Sequence, residues 1–240
     1  MISPGNSFAG MVVGTMLSAT ILALPVFGGS AQAAGSLRLP AVGEALAPRV
    51  KVFARPAPGA RPIAVMKAIR FDFRPTIFMV TRRLSRAKRG DWYRIEVPGR
   101  PNGRRGWVRQ SQLRLLRRAG PLRIVIDRSR RVLRLLRNSK TVLSAPVAVG
   151  TPDAPTPLGR FYLTAEFRPS DDFLGPRAFE TSAYAAITDW PRGGIVGLHG
   201  TSEPASIGHR ASHGCIRTFN RVILKLSRLV RPGTQLRIRR

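Results

Sequence analysis

The chain holds one cysteine and three histidines, and all four lie inside Leu198–Arg217, which reads LHGTSEPASIGHRASHGCIR. A thiol and imidazoles gathered this way point to nucleophilic chemistry or to a metal site. As a nucleophile, Cys215 needs activation, because only the thiolate attacks carbonyls well. An N-terminal helix dipole just downstream and Arg217 would both lower its pKa. The amides of Gly214 and Cys215, at a glycine turn, suit an oxyanion hole. Two bases are candidates. His213 is two residues away and in an extended turn faces the same side; His199 is sixteen residues earlier and needs a loop that folds back, which Gly200 and Gly208 permit. The metal alternative uses His199, His209, His213 and Cys215. Their spacing, H-x9-H-x3-H-x-C, matches no common zinc pattern, and no second thiol exists. No metal and no cofactor is expected.

These residues need elements to hold them. Ile195–Leu198 reads as a short strand that delivers His199. After Arg217 the period changes: Phe219, Val222, Ile223, Leu226, Leu229 and Val230 recur at three- and four-residue steps, one apolar helical face. Thr218 or Asn220 is expected to cap that helix, Arg228 and Arg231 suit its C-terminal end, and Pro232-Gly233 stops it before a last strand, Thr234–Arg239. Upstream, Leu122–Asp127 and Arg131–Leu136 suit a hairpin. Val142–Val149 and Arg160–Phe167 read as further strands, joined by the loop Gly150–Gly159. Residues 169–189 read as an irregular loop over a site.

From Arg49 to Leu116 the pattern is of short strands at close spacing, with Trp92–Val97 alternating and turn residues through Pro98–Gly106, which argues a small barrel. Residues 34–48 read as a linker. Residues 1–37 carry no charged side chain; Met11–Phe27 is mostly apolar, and Ala31-Gln32-Ala33 supplies a small-x-small site. That is the layout of a secretory signal peptide over residues 1–33, without its positive n-region, the alternative being an uncleaved anchor and the only membrane contact expected. The mature chain is expected in the periplasm or cell wall.

The formal net charge is +29, which fits an anionic partner such as acidic cell-wall polymer. Nucleic acid is not expected, for want of an aromatic-basic face or motif. The charge is uneven: residues 160–203 hold four basic and six acidic side chains, whereas residues 204–240 hold nine basic and none acidic.

His199-Gly200-Thr201, Ser206-Ile207-Gly208 and Ser212-His213-Gly214-Cys215-Ile216-Arg217 together resemble the signature of the L,D-transpeptidase (YkuD-type) catalytic domain. Ala148-Val149-Gly150 followed by Thr156-Pro157-Leu158-Gly159-Arg160-Phe161 resembles that family's upstream segment. The resemblance covers residues 121–240, and DWYRIEVPGRPNGRRGWVRQSQL resembles the end of a bacterial SH3-like domain, placed at 49–118. The implied fold is mainly β: a small SH3-like barrel, then a β-rich catalytic domain with one clear helix after the cysteine. The implied function is a peptidoglycan L,D-transpeptidase that forms 3→3 cross-links through a Cys215 thioester, with stem peptides as partners; L,D-carboxypeptidase and lipoprotein-anchoring activities use the same chemistry. A basic, non-catalytic wall-binding protein is the rival from another class. In the family's terms Cys215 is the nucleophile, His199 the base, and Gly200 its orienting carbonyl. His213 shapes the site, Arg217 and Ser212 hold substrate, and Gly214 serves the oxyanion. His209 stands where relatives often carry lysine and reads as a surface residue.

Overall fold

Alternating apolar and polar residues build two sheets, seen in a computed structural model that describes residues 37–85, 90–187, 189 and 191–240. The expected signal segment, residues 1–33, lies outside the described residues. The first sheet holds β1 (Ala41–Ala45), β2 (Arg49–Phe53), β3 (Pro62–Lys67), β4 (Ile77–Leu84), β5 (Trp92–Glu96), β6 (Arg105–Arg109) and β7 (Leu113–Arg118). They hydrogen-bond in the order β3-β2-β6-β5-β4-β1-β7. Their inward residues, among them Val50, Val52, Phe78, Tyr93, Ile95 and Val108, form one apolar core. In place of the linker expected over 34–48, Ala41–Ala45 is a strand between β4 and β7, with Ala41 and Val42 buried. Its small residues and bracketing prolines hid a segment that pairs on both edges.

The second sheet follows the hairpin β8 (Leu122–Asp127) and β9 (Val132–Arg137) with β10 (Lys140–Pro146). After the short β11 (Val149–Gly150) come β12 (Gly159–Phe167), β13 (Ala178–Tyr184), β14 (Ile195–His199), β15 (Arg210–Ser212) and β16 (Ile216–Arg217). The helix α1 (Asn220–Leu229) and β17 (Gln235–Arg239) end the chain. The order is β10-β9-β8-β17-β12-β13-β14-β16, and β11 pairs separately with β15. Ile223, Leu226 and Val230 of the helix region join the core of this sheet. The architecture is mainly β, as the sequence implied. No helix among the described residues is long and apolar enough to cross a membrane.

Two expectations change. The loop expected over 169–189 contains β13, a nearly wholly buried strand between β12 and β14. Its Glu180, Thr181 and Ser182 break the apolar pattern, yet each has a partner. The Thr181 hydroxyl donates to the Val196 carbonyl at 2.8 Å, Ser182 Oγ accepts from Tyr162 N at 3.1 Å, and Glu180 pairs with Arg70. The chain does pass between sheets at Ala119–Pro121, but residues 36–240 form one compact unit rather than two. Val42, Met79, Ala119 and Tyr162 make a shared apolar cluster between the sheets, and the Tyr162 hydroxyl donates to the Ile77 carbonyl at 3.0 Å.

Candidate active site

The centre of the site is a parallel pairing. Strand β14 lies beside β16 with Leu198 opposite Ile216 and His199 opposite Arg217. Side chains alternate across a sheet, so buried Val196, Leu198 and Ile216 face the core, while Gly197, His199, Cys215 and Arg217 share the other face. Chain positions sixteen apart are thereby brought together by register. The Gly197 N–H points to Cys215 Sγ at 3.3 Å. A Cβ on Gly197 would stand 3.3 Å from His199 Cδ2 and 3.6 Å from Cys215 Sγ. Thiol and imidazole thus flank one empty position, and glycine keeps it empty.

His199 is 2% exposed. Its Nδ1 lies 2.6 Å from the Gly200 carbonyl. A carbonyl only accepts, so Nδ1 carries the proton and the neutral ring's Nε2 keeps its lone pair, on the same edge as Cδ2. This is a base aimed at the thiol side. The backbone around it is fixed as well: Gly200 N donates to Arg177 O, Thr218 N to His199 O, and Thr201 N to Asn220 Oδ1 at 2.8 Å. Asn220 therefore ties the histidine turn to the start of α1 rather than capping it. Phe219 stands at the helix cap without a side-chain bond, and the buried Thr218 hydroxyl has no partner, so the expected cap by either residue is not formed.

The turn Ser212–Cys215 is held from within. Ser212 Oγ donates to the Cys215 carbonyl at 2.6 Å and accepts from Gly214 N at 3.2 Å. Ser212 is buried, and both bonds of its hydroxyl close this turn. The Gly214 amide is occupied by that hydroxyl, which leaves the Cys215 amide as the remaining member of the expected oxyanion pair. Gly214 has φ +113°, and a Cβ there would meet Ala185 Cβ at 2.8 Å. The upstream segment supports this turn: β11 runs parallel to β15, Thr151 N donates to Ser212 O, and Gly150 N donates to the Thr156 hydroxyl at 2.8 Å.

Burial sets the protonation state. It lowers the His199 imidazole to about 4, Arg217 acting the same way and the Gly200 bond against it. It raises the Cys215 thiol above its ordinary value, outweighing the Gly197 N–H and Arg217, which both favour thiolate. The expected acidification by the helix dipole does not prevail, since α1 begins only at Asn220 and such fields fade within the first turn. The resting pair is neutral thiol and neutral imidazole.

A cleft of about 330 Å³ opens on this pair, lined by His199, Cys215, Gly197, Glu180 and the Phe167–Asp171 segment. The first half of the expected loop does cover the site. The L,D-transpeptidase catalytic-domain family model matches residues 121–238. The YkuD protein of Bacillus subtilis is 32% identical over 120 residues, 50% of this chain and 67% of that protein. This chain belongs to the L,D-transpeptidase family. The Bacillus licheniformis YkuD protein is 35% identical over 119 residues, 49% of this chain and 66% of its own. Among solved structures, an L,D-transpeptidase from Mycobacterium smegmatis is 15% identical with a TM-score of 0.45, covering 68% of this chain and 99% of that one.

In this L,D-transpeptidase domain, His199 and Cys215 line one cleft, whereas His209 and His213 are exposed and neither lines it. Among the described residues no three His, Cys, Asp or Glu side chains gather to hold a metal. Arg217 is buried; its Nη1 pairs with Glu203, its guanidinium lies 4.9 Å over the Phe173 ring, and its Nε has no partner. Sequence reasoning missed Gly197, Glu203 and the Arg70–Glu180 pair. Only Gly197 had a signal, since strand alternation in Ile195-Val196-Gly197-Leu198-His199 puts it on the histidine's face.

Proposed function

We propose that the protein is a peptidoglycan L,D-transpeptidase that forms 3→3 cross-links through a thioester on Cys215. The observation that carries this is the thiol and the oriented imidazole flanking Gly197. As Sγ attacks the carbonyl of the L-centre of a tetrapeptide stem, its proton passes to His199 Nε2. The C–N bond to the terminal D-alanine breaks, and that amine leaves with the proton. An amine of a second stem then attacks the thioester, gives its proton through Nε2 to sulfur, and the thiol is restored. The Cys215 amide faces the oxyanion. Arg217 holds a substrate carboxylate through its unpartnered Nε, with Glu203 displaced from Nη1.

Peptidoglycan lies outside the membrane, so the reading places the enzyme there, with the charge-free N-terminal segment for export and the +29 chain near anionic wall polymer. The first sheet is read as an SH3-like wall-binding part. Incubation with a tetrapeptide stem should add the mass of that stem less D-alanine to wild type and nothing to Cys215→Ala. An adduct on Cys215→Ala would remove the assignment. Muropeptide dimers as product support transfer, whereas tripeptide alone would replace it with L,D-carboxypeptidase activity.

A further inference from the structure

The proposed reaction needs two peptides at one sulfur, and the cleft over Cys215 accounts for one. A second groove, of about 380 Å³, lies between the two sheets and is lined by Lys67, Ile69, Phe71, Thr164, Tyr184 and Ile195 among others. Ile195 lines both spaces, and the Arg70–Glu180 ion pair stands between them, Glu180 on the cleft side and Arg70 on the groove side. Ile195 is two residues from Gly197 on β14, roughly 7 Å at the usual strand rise, and Gly197 N is 3.3 Å from Sγ. A chain lying in this groove ends within reach of the thioester.

The groove has the marks of a built site. Ile69 and Phe71 are large apolar side chains left exposed, Phe71 at 62%. They stand on a loop closed by the Ile69–Pro75 bridge and by Arg70 N to Arg74 O at 2.9 Å. The loop is fastened to the catalytic sheet twice, by Arg70 on Glu180 and by Arg74 Nη1 on the Glu166 carbonyl. The exposed apolar surface is therefore held in place over the groove. On the opposite wall Thr164, 7% exposed, has a hydroxyl with no partner. A buried hydroxyl is rarely left so, and a peptide N–H or C=O would satisfy it. Lys67, exposed on β3, supplies a positive charge. Apolar contact, one backbone-type hydrogen bond and one cation suit an extended peptide ending in a carboxylate.

Resting on the transpeptidase reading, we infer that this groove binds the acceptor stem peptide, so that the first sheet forms part of the acceptor subsite. The amine at the groove's inner end attacks the Cys215 thioester past Ile195, and the donor occupies the cleft lined by Phe167–Asp171.

The test uses the full chain with Phe71→Ala and Thr164→Val, Thr164→Ser serving as the conservative control and melting curves reporting the fold. With a tetrapeptide donor, acyl-enzyme formation followed by mass spectrometry should stay within about twofold of wild type. The acceptor KM should rise about tenfold, which is roughly 1.4 kcal/mol, with product moving from dimer to tripeptide, and Thr164→Ser should restore it. An acceptor KM unchanged in both variants overturns the inference, as does an equal fall in acylation and transfer. Failure of wild type to form any acyl-enzyme removes the transpeptidase reading instead. The groove is then judged by calorimetric binding of an amine-bearing tripeptide stem to the unacylated chain: weaker binding by Phe71→Ala upholds it and equal binding overturns it.

Discussion

The two sheets contribute to the site by opposite means. The catalytic sheet positions its groups by register: His199 and Gly197 stand on β14, Arg217 on the parallel β16 and Cys215 just before it, and their placement follows from the pairing of the two strands. The first sheet reaches the second mainly by single side chains that end on its backbone or on one charge. Asn102 both donates to the Tyr184 carbonyl at 2.7 Å and accepts from Tyr184 N at 2.9 Å; Arg100 gathers the carbonyls of Ala185, Ile187 and Gly193; Arg70 meets Glu180. Register is shared by many bonds and fails all at once. Side-chain bridges are separable, and substitution should read them one at a time.

The bridge with the largest expected effect is Arg70. Glu180 is 3% exposed and Arg70 is one of its partners, so Arg70→Met takes an ion pair from a buried carboxylate and should cost about 3 kcal/mol of stability. Denaturant unfolding measures it. The double variant Arg70→Met/Glu180→Gln should recover part of the loss, because no buried charge then lacks its Arg70 pairing. If the single variant loses under about 1 kcal/mol, the pair is solvated like a surface salt bridge, and this bridge adds little to the docking of the two sheets.

On the register side, Gly197→Ala places a methyl between imidazole and thiol, 3.3 Å from one and 3.6 Å from the other. Reacting groups displaced by a fraction of an ångström to one ångström commonly lose about 100-fold in rate. We expect that order of loss in acyl-enzyme formation with the melting temperature nearly unchanged. Equal losses in stability and rate would instead mean that the glycine serves packing.

This position also shows how far the sequence was legible. The chemistry-bearing residues, the helix period and the hairpin were all visible, because each rests on local spacing. The role of Gly197 was not, because it depends on which strand lies beside β14. Strands β1 and β13 were missed for a related reason. Ala41–Ala45 has little apolar bulk, and Ala178–Tyr184 carries three consecutive polar residues whose partners, Arg70, Val196 and Tyr162, are distant in sequence. The net state of Cys215 was not legible either: adjacency to Arg217, which does favour the thiolate, is local information, whereas burial, the dominant cause, is not.

A pH series tests that burial. A base held at about 4 instead of its ordinary 6.5 stays unprotonated through mildly acid solution, so the acid limb of kcat/KM should fall near pH 4. The same depression makes the unfolded chain bind the proton first. Stability contributed by neutral His199 is then complete above about pH 6.5 and is lost as pH drops toward 4. His199→Gln should flatten that part of the stability profile. An acid limb near 6.5 would mean the imidazole is solvated in the working enzyme.

The smallest effect belongs to a bridge whose loss leaves no charge behind. Tyr162 is fully buried between the sheets and its hydroxyl donates to the Ile77 carbonyl. Tyr162→Phe keeps the ring in the cluster with Val42, Met79 and Ala119 and removes only that bond, so the loss should be about 1 kcal/mol, a downward shift in Tm of about 2–4 °C. Acyl-enzyme formation should not change, since β14 and β16 keep their register. A larger fall, or a parallel fall in acylation, would mean that the sheets dock as one cooperative surface and that the catalytic register depends on the first sheet after all.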